Sequence, residues 1–97
     1  MREIEKKMVL AVANKQNFCL SNTKVYNKKN GVFVFLHGNL IFARIKNIDY
    51  FSNSGWNTRT TASRLRALGA EYSTNSKKCK CDLLSRREIW DLFNNCN

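Results

Sequence analysis

The sequence predicts an α+β fold, a small antiparallel β-meander of three to four strands packed against two or three short helices. Three observations predict it. Apolar stretches of strand length recur between turn signals at 28–31, 37–39 and 46–47, and connections that short join antiparallel neighbours. After Ser52 the apolar spacing lengthens to that of a helix. The chain is 97 residues long, enough for one hydrophobic core with a thin margin, so residues 1–97 read as a single domain.

The elements follow in order. Residues 2–13 place Ile4, Met8, Ala11 and Val12 at helical spacing with Glu and Lys between them. That is the pattern of a short amphipathic helix, although the MVLAV run within it also suits a strand. NFCLSNTKVYN is rich in β-formers and reads as a strand near 18–26. KKNG, residues 28–31, is a turn, since Asn-Gly tolerates the positive φ of tight hairpins. GVFVFLH puts Phe33 and Phe35 on one face and Val32, Val34 and Leu36 on the other. A strand apolar on both faces is buried on both faces, so this one is the central strand. His37-Gly38-Asn39 makes a second turn, LIFARI (40–45) a strand, Lys46-Asn47 a third turn and IDYFS a short fourth strand.

Beyond Ser52, Thr58 or Thr60 caps a helix whose Ala62, Leu65 and Leu68, with Trp56, face the sheet. Gly69 ends it. Residues 71–81, EYSTNSKKCKC, are polar and basic and read as an exposed loop containing cysteines. Ser85 and Glu88 form a capping box before a last helix carrying Ile89, Trp90, Leu92 and Phe93.

Charge bears on function. Lys and Arg number 17 against 7 Asp and Glu, a net charge of +10. Residues 1–51 hold 9 basic and 3 acidic groups and residues 52–97 hold 8 and 4, so the excess belongs to the whole domain and not to a tail. Such a domain attracts polyanions, with nucleic acid the commonest, and equally an acidic protein surface. GVFVFL is far too short to span a bilayer, and the N-terminus lacks a secretory pattern. A cytoplasmic protein without membrane attachment is expected.

Catalytic and metal signatures are weak. The sequence has no phosphate-cradling glycine loop of the G-x-x-x-x-G-K-[ST] type, no G-x-S-x-G and no H-E-x-x-H. Cys79 and Cys81 are separated by one residue, tighter than the usual zinc knuckle, and Cys19, Cys96 and His37 are scattered. No enzyme activity, metal or cofactor is expected. Thr58, Thr60, Thr61 and Ser63 crowd a helix start, where free N–H groups favour an anion. Arg59, Arg64 and Arg66 follow, each able to grip a phosphate with two bonds. Arg64 can equally serve the fold by bonding backbone carbonyls.

The succession FLHGNLI (35–41), a short strand, then GWNTRTTASRL (55–65) resembles a group of small bacteriophage-encoded proteins with the pattern L-H-x-[NT]-x-I … G-W-x-T-x-T-T-x-x-R-[LI]. Leu36, His37, Asn39 and Ile41 match its first part. Gly55, Trp56, Thr58, Thr60, Thr61, Arg64 and Leu65 match its second, and NTKVYN resembles an upstream Asn-Thr element. The resemblance implies an accessory product of phage infection acting in the host cytoplasm. Together with the charge, it gives a nucleic-acid-binding protein whose expected contacts are Arg59, Thr60, Thr61, Arg64, Arg66, Lys77, Lys78, Lys80, Arg86 and Arg87. The alternative is a regulator that binds a host protein complex.

Overall fold

A computed structural model describes residues 3–54, 58–70 and 83–96. Its elements are α1 (Glu3–Ala13), β1 (Phe18–Leu20), β2 (Thr23–Lys28), β3 (Gly31–Leu36), β4 (Asn39–Ile45), β5 (Ile48–Phe51), α2 (Arg59–Ala67) and α3 (Arg86–Asn95). The strands form one antiparallel sheet in the order β1-β2-β3-β4-β5. β3 is therefore central, as its two apolar faces require.

Each face of β3 meets its own core. Val32, Val34 and Leu36 pack beneath α1 and α2, against Met8, Ala11, Val12, Ala62 and Leu65. Phe33 and Phe35 pack on the other side against Ile89, Trp90 and Phe93 of α3. Phe93 is the hub of that second layer, edge-on to Phe33 at 4.9 Å and to Phe35 at 5.5 Å, a favourable aromatic geometry.

Between Val34 and Phe35 the register slips, so Val34 faces Phe42 while Phe35 faces Leu40. Ile41 is the extra residue of a β-bulge. As a result the consecutive Ile41 and Phe42 both enter the core under α1 and α2, while Leu40 and Ala43 enter the other. The chain leaving β5 ties back over the bulge. Ser52 N–H donates to the Ile41 carbonyl at 2.8 Å, and the Ser54 hydroxyl donates to the Leu40 carbonyl. These bonds aim the chain towards α2.

The helix ends follow local chemistry. Thr58 is the N-cap of α2, its hydroxyl accepting from Thr61 N–H at 3.2 Å. Gly69, at φ +107, ends α2 with bonds from Gly69 N to Arg66 O and from Ala70 N to Leu65 O, the Schellman pattern. α3 carries the Ser85/Glu88 capping box. Lys28 holds its C-terminal end, donating to the Phe93 and Cys96 carbonyls with its ammonium 3.8 Å from the Phe93 ring centre.

Two expectations are corrected. There are five strands, not three or four, because the single strand expected near 18–26 turns at Ser21–Asn22, with Ser21 at φ 55. The turn between β2 and β3 is Lys29–Asn30, and neither residue has positive φ. Gly31 instead opens β3, and its lack of a side chain serves packing. A Cβ there would lie 3.0 Å from Cys96 Sγ and 3.1 Å from the Phe33 ring. The expected 71–81 loop and the Trp56 anchor lie outside the described residues.

Gly31→Ala should therefore destabilise the protein by about 1–3 kcal/mol through overpacking. Denaturant titration checks this, and Cys96→Ala should relieve part of the loss. The backbone and side-chain bonds of Ser85 hold the Glu88 carboxylate below its ordinary pKa. A depressed carboxylate stabilises the fold above its unfolded pKa, about 4.3, and ceases to do so as pH falls through the lower folded value. Acid unfolding of Glu88→Gln should thus be less steep through that window than that of the parent.

Candidate functional site

Residues singled out by their motif come together at one end of the sheet. The β3–β4 turn, the chain after β5 and the first turn of α2 enclose a cleft of about 360 Å³. Leu36 and Ile41 supply its apolar lining, and His37, Asn39, Asn53, Thr58, Thr60 and Thr61 its polar groups. His37 and Gly38 form the turn, with φ of 52 and 78. None of these described lining side chains is acidic or a permanent cation. The cleft therefore offers hydrogen-bond donors and acceptors to a polar group.

Arg64, the arginine of the motif, lies beneath this end of the molecule and not on its surface. Its side chain is 3 % exposed, and Nη1 donates to Glu5 Oε2 at 2.8 Å, where Glu5 is 4 % exposed. Nε donates to Thr23 Oγ1 at 3.1 Å and Nη2 reaches Asn22 Oδ1 at 3.5 Å. Ser63 adds a hydroxyl to the same Glu5 oxygen. Arg64 thus serves the fold, through side chains and not through the backbone carbonyls expected.

The network continues to the cleft. Asn22 Oδ1 accepts from the Thr23 hydroxyl at 2.9 Å as well as from Arg64, leaving Asn22 Nδ2 3.3 Å from His37 Nε2. A guanidinium only donates, so it fixes which end of the amide is oxygen. The amide nitrogen must then donate to His37 Nε2, which places the ring proton of neutral His37 on Nδ1.

The other expected contacts are dispersed. Arg59 and Arg66 are exposed on α2, while Arg86 and Arg87 are exposed on α3, across the sheet. Thr60 is half-buried in the cleft, and Thr61 is buried against Thr58, 3.0 Å between hydroxyls. Lys77, Lys78 and Lys80 lie outside the described residues, as do Cys79 and Cys81. Among the described residues no three His, Cys, Asp or Glu side chains stand together as a metal site would need, and no helix is long and apolar enough to cross a membrane.

A second concavity, of about 380 Å³, lies at the opposite end of the sheet. The Lys29–Asn30 turn, the Lys46–Asn47 turn and the residues after α1 enclose it, and Lys15, Lys28, Lys29, Arg44 and Lys46 line it. None of these five is among the expected contacts. The signal was present in the sequence: successive turns of a meander alternate between its ends, so the β2–β3 and β4–β5 turns must share one end. Asp49 pairs with Arg44 at 2.6 and 3.1 Å, and that bond holds the guanidinium above its ordinary pKa.

The family model of the Kyanoviridae Gp96 protein matches residues 1–82. No curated protein and no solved structure matches the chain.

Removing one partner of a buried ion pair leaves the other charge uncompensated. Arg64→Met or Glu5→Leu alone should each cost about 3–5 kcal/mol, and the double variant well under their sum. A double-mutant cycle in denaturant checks this. Long-range nitrogen–proton correlation spectra should find neutral His37 protonated at Nδ1.

Proposed function

The chain belongs to the Kyanoviridae Gp96 family, and from that premise we propose that this phage-encoded accessory protein acts by binding nucleic acid through its basic surface. One observation carries the reading: among the described residues, most exposed cations take part in no ion pair with another described residue. The described ion pairs are Arg44–Asp49 and Arg64–Glu5. The exposed Lys6, Lys7, Lys15, Lys24, Lys29, Lys46, Arg59, Arg86 and Arg87 take part in none of them. Uncompensated cations gain affinity for phosphates by releasing condensed counterions. The host cytoplasm is the setting this reading implies, and it assigns the protein no catalytic role.

A second reading, a regulator that docks on a host protein complex, is favoured by exposed apolar side chains. Leu10 on α1 is 60 % exposed, Ile48 at the start of β5 55 % and Leu20 on the edge strand β1 43 %.

Mixed-sequence DNA and RNA should bind at low salt, with affinity falling linearly in log–log form as salt rises. Each phosphate neutralised adds about 0.9 to the slope on duplex DNA and about 0.7 on a single strand. Fluorescence anisotropy at several salt concentrations measures it. Absence of binding at low salt would remove the reading. Capture of a host protein that survives nuclease treatment, with mutation of Leu20 or Ile48 abolishing it, would favour the second.

A further inference from the structure

We propose that the groove between the C-terminal end of α1 and the 29–30 and 46–47 turns is where the phosphodiester backbone of a nucleic acid binds, through Lys15, Lys29 and Lys46. This rests on the nucleic-acid reading above and gives it a location that none of the expected contacts shares.

The charges at the groove divide by their commitments. Lys28 is engaged by the α3 carbonyls of Phe93 and Cys96, and Arg44 by Asp49. Lys15, Lys29 and Lys46 are exposed, and none forms a side-chain hydrogen bond or ion pair with a described residue. None of the described residues lining the groove is acidic. Three cations from separate segments thus face one concavity, with Asn30 and Asn47 beside them as neutral donors. That is the makeup of a phosphate-tracking surface.

The backbone supplies an independent argument. Lys15 has φ 54 and Lys46 φ 52, the left-handed region that disfavours side chains with a Cβ. Lys15 occupies the position after α1 that glycine commonly fills. Its N–H bonds Val12 O at 3.3 Å, and the next N–H, of Gln16, bonds Ala11 O at 2.9 Å, again the Schellman arrangement. Lys46 and Asn47, at φ 64, are the two central residues of the β4–β5 hairpin, where Asn and Gly are the easy choices. The fold alone favours glycine at both lysines. What lysine adds at each is a charge directed at the groove.

This gives a test in which stability and binding move apart. In Lys15→Gly/Lys46→Gly the melting temperature should hold or rise, because glycine relieves the left-handed backbone. Affinity for short mixed-sequence oligonucleotides at low salt should fall about tenfold or more, and the log–log salt slope should become shallower by about two contacts' worth. Lys29→Glu, in an exposed turn, should weaken binding without touching either backbone position. Single-stranded DNA, single-stranded RNA and duplex DNA run as separate arms identify which backbone the groove takes. If the parent binds but both groove variants bind equally well, while Arg59→Ala/Arg66→Ala or Arg86→Ala/Arg87→Ala weakens binding, the groove is overturned and the nucleic-acid reading stands. If the parent binds no nucleic acid at low salt, both fall.

Discussion

The buried pair between Glu5 and Arg64 is the constraint on which the helical layer depends. Two opposite charges, 4 % and 3 % exposed, sit 2.8 Å apart where α1, α2 and the β1–β2 turn meet. Taking both out of water is costly, and their attraction offsets that cost only with good geometry and further hydrogen bonds. Thr23, Ser63 and Asn22 supply those bonds. The pair also fixes direction. Glu5 is near the start of α1, so that end of the helix is held beside α2. An 11-residue helix is about 16 Å long, and its far end, with Lys15 just beyond, is carried to the other end of the sheet.

The molecule therefore has two chemically distinct ends, separated by strands of six residues or about 20 Å. At one, hydroxyl, amide and imidazole groups surround an apolar floor, and the buried Arg64 orients Asn22 beside His37. At the other, the hairpin turns bring lysines together. The meander itself produces this division. Its odd turns return to one end and its even turns to the other, so residues distant in sequence collect according to the parity of their turn.

Much of this was legible in the residues. The two apolar faces of GVFVFLH place β3 at the centre, and Ser85/Glu88 and Gly69 mark helix ends by local hydrogen bonding. The Ser21–Asn22 turn leaves no local signal, because the β-forming residues on both sides make one continuous run. That lost strand concealed the topology at its start. Asn30-Gly31 has the composition of a tight turn, yet Gly31 leaves room for Cys96, just after α3, and for the ring of Phe33 on its own strand, and the approach of Cys96 is a tertiary fact no local pattern carries. Glu5 lies among exposed charges at 3, 6 and 7 and looks solvated; its burial depends on a partner 59 residues away. The same long-range pairing took Arg64 out of the expected phosphate contacts, since an arginine beside helix-start hydroxyls has one sequence signature whether it faces water or the core.

On the proposed reading, the working positive charge lies in the lysine groove and not on the arginines of α2 and α3. Backbone amide spectra recorded while a short oligonucleotide is titrated into the folded protein test it most directly. Shift changes concentrated at Lys15, Lys29, Asn30, Arg44, Lys46 and Asn47, with the amides of α2 and α3 undisturbed, are the result it predicts. Changes centred on Arg59, Arg66, Arg86 and Arg87, or on the His37 cleft, would contradict it.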